Sequence, residues 1–253
     1  MNGKQPRLSV VVLAYRSADS IAAFVDELIP AIESAEPDWE MILVGNYLKD
    51  SADRTPEVVR CIAESNPRIR FLAKVKQGMM GWDMRSGLET ALGETLAVID
   101  GDGQNPAEDI ARAYRMLKES SLDMAKTYRV QRDDGWYRLV MSRVYNLVFS
   151  ALFPGMNCRD INSKPKLMTR EAYAALDLHS DGWFVDAEIM IQARRLGMSI
   201  GELPTEFKSL ESRPSFVKPM TTLAFIANLI GYRLLEFRYC FNKPEAFRSK
   251  RKP

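Results

Sequence analysis

A chain of 253 residues can bury a sizeable core, either as one large α/β domain or as two small ones. Hydrophobic residues at 46% and charged residues at 27% exclude a disordered or fibrous chain, and 35 Lys and Arg against 33 Asp and Glu leave a net +2 that gives no global field for nucleic acid. Three isolated cysteines, Cys61, Cys158 and Cys240, indicate neither a disulfide framework nor a zinc cluster and fit a reducing compartment.

The elements follow in chain order. Arg7 to Tyr15 is a short apolar run ending in a polar turn. It is too short for a signal peptide and lacks a small-residue cleavage pattern, so it predicts a strand. Ser20 to Ile32 predicts a helix with Ile21, Phe24, Val25, Leu28 and Ile32 on one face. The alternation continues with a strand at Glu40 to Val44, a helix at Pro56 to Glu64, a strand at Ile69 to Ala73, a helix at Gly81 to Leu92 and a strand at Thr95 to Ile99. Strands alternating with helices of this length predict a parallel α/β sheet, whose ligands bind outside the carboxyl ends of strands where the strand order reverses. Further on, a strand at Met124 to Tyr128, a helix at Tyr137 to Phe153, a strand at Lys166 to Met168, a helix at Asp186 to Leu196 and a strand at Ile200 to Phe207 are expected.

The stretch VIDGDGQNP, Val98 to Pro106, has two readings. Asp-Gly between apolar runs is a hairpin signal, because both residues tolerate positive φ. Two aspartates at i and i+2 can equally face one divalent cation, with Gln104 adding a neutral oxygen and the glycines giving clearance. A hairpin needs a second strand at once, whereas Pro106 to Lys118 is helical in composition and period, with Ile110, Ala113, Tyr114 and Leu117 on one side. The metal-loop reading is therefore favoured.

DGDGQNP resembles the DxD metal site of GT-A fold glycosyltransferases, and more specifically the DxDxQ(H/N)P stretch of the dolichol-phosphate-mannose synthase-like branch of family 2. The resemblance covers about residues 8 to 240. It implies a GT-A, Rossmann-like, mostly parallel sheet flanked by helices. It also implies Mg²⁺ or Mn²⁺ held by Asp100, Asp102 and Gln104, and a nucleotide-sugar donor. The family's opening P-x-Y-N-E is reduced here to Tyr15 in LAYRS. Its V-D-D-x-S-x-D-x-T segment becomes LVGNYLKDSADRT, which keeps Ser51, Asp53 and Thr55 and puts Asn46 near the aspartate pair, as a residue that can read a nucleobase. KQGMMGWDMRSGLETALG matches the family's glycine-rich turn and helix, which implies that backbone amides near Gly78 and Gly81, with Lys76 and Arg85, meet the diphosphate.

For the acceptor, TYRVQRDDGWYRLVMSRVYN is similar to the family's R-Y-x…R-x-x-x-S segment and implies phosphate contacts at Arg129, Arg138 and Ser142. ESRPSFVKP resembles its R-x-x-G-x-S-K loop, with Arg213, Ser215 and Lys218 retained in kind. Asp160 stands where the family has an aspartate before its G-F segment, which here carries Lys164. Asp186 and Glu188 open a helix, where carboxylates favour the dipole without any chemistry, or serve as a base for a hydroxyl acceptor. The lone His179 reads as a turn or packing residue.

These readings combine into an inverting glycosyltransferase that moves a sugar from a GDP- or UDP-linked donor to a polyprenyl phosphate. Its rivals are an enzyme with a lipid or glycan hydroxyl acceptor, with Asp186 or Glu188 as base, and a non-catalytic nucleotide-sugar-binding protein. Residues 1–215 are expected to form the catalytic domain, and 216–253 an amphipathic helix and basic tail. Thr221 to Phe237 carries Leu223, Ile226, Ile230, Leu234 and Phe237 at helical spacing. That stripe either caps the core or lies on a membrane surface, with the basic tail over anionic lipid. No run reaches the roughly 18 uninterrupted apolar residues of a membrane span, so a cytoplasmic protein peripheral at the membrane is expected.

Overall fold

The computed structural model describes residues 5–132, 136–155, 158–207 and 227–234, with side chains described outside 131–142. The chain runs β1 (Leu8–Leu13), α1 (Ile21–Ala35), β2 (Trp39–Val44), α2 (Thr55–Ser65), β3 (Ile69–Leu72), α3 (Met80–Thr90), β4 (Thr95–Asp100) and α4 (Glu108–Glu119). It continues through β5 (Met124–Arg132), α5 (Trp136–Leu152), β6 (Lys166–Thr169), α6 (Arg170–Ala175), α7 (Val185–Leu196) and β7 (Ile200–Phe207). Residues 227–234 are helical.

Seven strands form one sheet in the order β3-β2-β1-β4-β6-β5-β7. β1 pairs in parallel with β2 and with β4, and β2 with β3, while β6 runs antiparallel between β4 and β5. The chain builds outward from β1 to β3, then returns to lay β4 on the other side of β1. Strand order therefore reverses between β1 and β4, where an open α/β sheet offers its binding crevice.

Every residue of β1 and β2 is buried, as expected of β-branched and aliphatic runs covered on both faces. Alternate side chains feed two cores. Leu8, Val10 and Val12 pack with α1, α2 and α4, including the expected face Ile21, Phe24, Val25, Leu28 and Ile32. Val11 and Leu13 pack on the other side with Met84 and Leu88 of α3, Phe149 of α5 and the interior of α7. The α1 helix runs through Pro30, although proline removes a donor. Buried Leu28 and Ile32 on either side of it hold the helix on the sheet.

Two elements depart from expectation. β5 extends past Tyr128 to Arg132 because β7 pairs with it up to Arg132 and Phe207, through an irregularity between Arg129 and Gln131. The short α6 was not anticipated; Thr169 caps it by accepting a hydrogen bond from the Ala172 amide at 3.1 Å.

Candidate active site

The DGDGQ loop leaves the end of β4 at the switch point. Asp100 is paired with Leu13 across the ladder, and the Gly101 amide donates to the Leu13 carbonyl at 2.8 Å, so the loop is fastened to β1 as it turns away. Gly103 has φ +74°, a left-handed conformation that favours glycine. The Gln104 amide donates to Asp102 Oδ1 at 3.1 Å, which tightens the turn, and α4 then begins at Glu108. No second strand follows, and the hairpin reading is excluded.

Behind this loop lies a buried chain of alternating charge. Lys164, in the segment before β6, places Nζ 3.4 Å from Asp100 Oδ2 and 3.1 Å from Asp186 Oδ2. Lys166 Nζ donates to the other Asp186 oxygen at 2.6 Å and to the Ser163 carbonyl at 2.9 Å. Burial would raise the Asp186 carboxyl, but the two ammonium groups outweigh it and hold it below the usual carboxylate range. Burial alone would likewise depress Lys164, yet Asp100 and Asp186 keep its ammonium above the ordinary lysine value. Lys166 has one carboxylate and two cationic neighbours; burial, with Lys126 and Lys164 adding to it, pushes it down to about 8.

The second carboxylate of α7 does a different task. Glu188 accepts from the amides of His179 at 3.0 Å and Ser180 at 2.9 Å, and also from the Tyr232 hydroxyl. That pins the loop before α7, and the loop in turn covers the start of α3. The Met79 and Trp82 amides donate to the Asp181 carbonyl at 2.8 and 3.2 Å, and the Gly81 amide to the Gly182 carbonyl at 3.0 Å. A Cβ on Gly81 would lie 2.2 Å from the Ser180 carbonyl oxygen. Arg85 joins the same seam, donating to the Leu178 carbonyl at 3.2 Å and pairing with Asp181.

These contacts give three sets of expected site residues partners within the protein. The Met79, Gly81 and Trp82 amides and two nitrogens of Arg85 bond to residues 178–182, and the glycines allow close passage of that loop. All four carboxylate oxygens of Asp186 and Glu188 accept hydrogen bonds within the protein, Asp186 from the buried Lys164 and Lys166 and Glu188 from the amides of His179 and Ser180. Asn46 is fully buried: its amide donates to Asp83 at 2.9 Å and Ser86 Oγ at 3.4 Å, and its carbonyl accepts from the Lys74 amide at 2.9 Å. Its side chain thereby joins the end of β2 to α3 and to the segment after β3.

At that end, Lys76 pairs with Asp83 and stands 4.3 Å from the centroid of the Tyr15 ring. Burial raises the Asp83 carboxyl, with Lys76 and Asn46 opposing. Thr55 Oγ1 accepts from the Ser17 amide at 3.0 Å, and Asp53 accepts from the Thr55 amide at 3.0 Å, so these matching residues tie the loop after β2 to the loop after β1.

On the β5 side, Arg129 is held by both oxygens of Asp160, at 2.6 Å from Nε and 2.9 Å from a terminal nitrogen. Two residues expected to bind substrate thus meet each other, a bidentate pair that fixes the guanidinium plane. The side chains of Arg138 and Ser142, and all of Arg213, Ser215 and Lys218, lie outside the described residues.

The residues present fit a divalent cation in part. Among the described residues no three His, Cys, Asp or Glu side chains gather as a metal cage. Two carboxylates and a carboxamide on one tight loop suit a hard cation that keeps positions open for phosphate oxygens. Asp100 is 32% exposed on its open side, and the buried Asn105 carboxamide beside the loop has no hydrogen-bond partner among the described residues. Both observations fit a loop shaped to receive something more than protein.

The buried pairing of Lys164 and Lys166 with Asp100 and Asp186 was not foreseen from the sequence. The available signal was two lysines flanking a proline in an otherwise apolar strand entry, which demands buried carboxylates elsewhere.

The Glycosyl transferase family 2 model matches residues 9–188. The chain is 27% identical over 236 residues to the dolichyl-phosphate beta-glucosyltransferase ALG5A of Trichomonas vaginalis, covering 86% of this chain and 70% of that protein. It is 25% identical over 227 residues to the undecaprenyl-phosphate 4-deoxy-4-formamido-L-arabinose transferase of Serratia proteamaculans, covering 88% of this chain and 65% of that protein. In fold it is similar to glucosyl-3-phosphoglycerate synthase from Mycobacterium tuberculosis, crystallised with Mn²⁺, UDP and phosphoglyceric acid, with TM-score 0.66 and 20% identity over 91% of this chain and 78% of that one. With the match running from β1 into α7 and the DGDGQ loop at the sheet's switch point, the chain belongs to glycosyl transferase family 2 and is a glycosyltransferase of GT-A fold.

Proposed function

We propose that this enzyme moves a sugar, with inversion at the anomeric carbon, from a GDP- or UDP-linked donor to a polyprenyl phosphate of dolichyl or undecaprenyl type. The observation that carries the acceptor is the engagement of Asp186 and Glu188, since a hydroxyl acceptor needs a base and the oxygens of both carboxylates already accept hydrogen bonds within the protein. A phosphate monoester, with a second pKa of about 6, is already largely dianionic near neutrality and needs none. Two relatives that act on dolichyl and undecaprenyl phosphate support the same choice.

Asp100, Asp102 and Gln104 are the residues that would hold Mg²⁺ or Mn²⁺, which when bound neutralises charge growing on the departing diphosphate. Tyr15 stands on the nucleobase side of the crevice, and the chain orders that wall through Asn46 and the buried pair of Lys76 and Asp83. Arg129, oriented by Asp160, positions the acceptor phosphate together with Arg138, Ser142, Arg213, Ser215 and Lys218.

The segment from 216 onward meets the membrane in this reading. In the helix at 227–234, Leu229 is buried and the Tyr232 ring lies 5.0 Å from the Phe184 ring, centroid to centroid. Ile230 and Leu234 of the expected stripe are 48% and 62% exposed, so the described part of the stripe does not cap the core. Exposed Val144 and Leu147 of α5 add apolar surface. No helix among the described residues is long and apolar enough to cross a membrane, and a peripheral position at the cytoplasmic face suits a lipid phosphate acceptor.

The test is a panel of GDP- and UDP-sugars incubated with protein, Mg²⁺ or Mn²⁺, and a polyprenyl phosphate. Metal-dependent release of nucleoside diphosphate that requires the lipid phosphate supports the proposal. Release that proceeds equally without it refutes the acceptor.

A further inference from the structure

The ammonium of Lys164 stands where the DGDGQ loop meets α7, and it is built in rather than draped over the surface. Its side chain is 3% exposed, and its Nζ lies 3.4 Å from Asp100, 3.1 Å from Asp186 and 3.3 Å from the Met80 sulfur. The backbone beneath it is fixed from β5: Thr127 Oγ1 donates to the Lys164 carbonyl at 2.7 Å and the Thr127 amide donates to the Pro165 carbonyl at 3.2 Å. Asp186 is anchored from the far side by Lys166 at 2.6 Å, so it cannot draw Lys164 away from the loop. One oxygen of Asp100 is therefore engaged from behind by a permanent cation, while the side chain remains 32% exposed towards the crevice.

We propose that Lys164 is a positioning residue for the donor diphosphate: held by Asp186, it sets the Asp100 carboxylate and supplies standing positive charge beneath the DGDGQ loop, so that diphosphate binding survives loss of the divalent metal. This rests on the reading that the donor diphosphate lies at Asp100 and Asp102. Without Lys164, Asp186 would keep the Lys166 ammonium, whereas Asp100 would lose the cation at its Oδ2 and would repel an anionic ligand more strongly. The same charge opposes a metal ion arriving alone, because the cation at Asp100 Oδ2 competes for that carboxylate. Lys164 thus favours the diphosphate and disfavours the bare metal, two effects of opposite sign from one group.

The test titrates UDP and GDP into wild type, Lys164→Met and Lys164→Gln, each with Mn²⁺ and with EDTA, and titrates Mn²⁺ alone by electron paramagnetic resonance. In wild type, EDTA should weaken the bound nucleotide by no more than about 100-fold. Lys164→Met should lose a further factor of about 10 or more in EDTA, yet bind Mn²⁺ alone about 5-fold tighter or better. A general packing defect would lower both affinities together, and that outcome overturns the proposal, as does a variant indistinguishable from wild type. Lys164→Gln keeps a donor to Asp100 without the charge and should follow Lys164→Met. If neither variant folds, the wild-type arm decides: tight binding with Mn²⁺ and none in EDTA overturns it. Wild type that binds neither nucleotide even with Mn²⁺ overturns the donor reading and this inference together, whereas binding in Mn²⁺ without the opposed shifts overturns the inference alone.

Discussion

Leu13 at the end of β1 stands directly opposite Asp100 at the end of β4, and the Leu13 carbonyl accepts the Gly101 amide at 2.8 Å. The carboxylate loop is thereby bonded to the strand whose exit carries Tyr15. The exits of β1 and β4 are thus held in one register by the sheet itself.

Because Asp100 and Asp102 occupy that fixed position, Asp100→Asn and Asp102→Asn should each lower metal-dependent turnover by about 10²-fold or more while leaving the fold intact. Turnover with a saturating donor and the thermal midpoint of each variant check both halves of this expectation.

Glu188 accepts two loop amides and the Tyr232 hydroxyl, and Gly81 admits the same loop against α3. Glu188→Ala leaves buried donors without acceptors and should destabilise the protein by about 3 kcal/mol. Gly81→Ala drives a methyl into the Ser180 carbonyl and should cost about 1 to 3 kcal/mol. Both follow from urea unfolding, and proteolysis should then cut first within 177–182.

Lys166 gives the stability a pH dependence of known sign. Burial pushes its ammonium from 10.5 to about 8 in the folded protein, so between those values the unfolded chain holds the proton more tightly. Stability should rise as pH climbs from about 8 towards 10.5, and Lys166→Met should flatten that rise. Lys164, shifted the other way, loses its contribution only above 10.5. Unfolding midpoints across this window decide it.

For the membrane reading, Ile230→Asp with Leu234→Asp should abolish flotation with vesicles containing anionic lipid and leave the thermal midpoint unchanged, because both side chains are exposed. A double variant that still floats would remove this helix from the contact.

Much of the fold was legible because its elements are local. The period of Ile21, Phe24, Val25, Leu28 and Ile32 and the alternation of strand and helix both reappear in the structure. The helix after Pro106 settled the DGDGQ loop for the same reason. The charge chain was not legible, because Lys166 meets Asp186 only once β6 has inserted antiparallel between β4 and β5, opposite Val98 and Lys126. Gly78 and Gly81 were ambiguous for a related reason: a glycine that admits a phosphate and one that admits a distant loop look the same in sequence. Asn46 likewise has its partners at Asp83, Ser86 and Lys74, too far along the chain for its burial to be read locally.

The most direct measurement supplies one active nucleotide-sugar, with metal, to the protein alongside either a polyprenyl phosphate or the corresponding polyprenol, and counts sugar transferred to lipid. Transfer to the phosphate alone is the predicted result. Transfer to the alcohol, abolished by Asp186→Asn or Glu188→Gln, would contradict it.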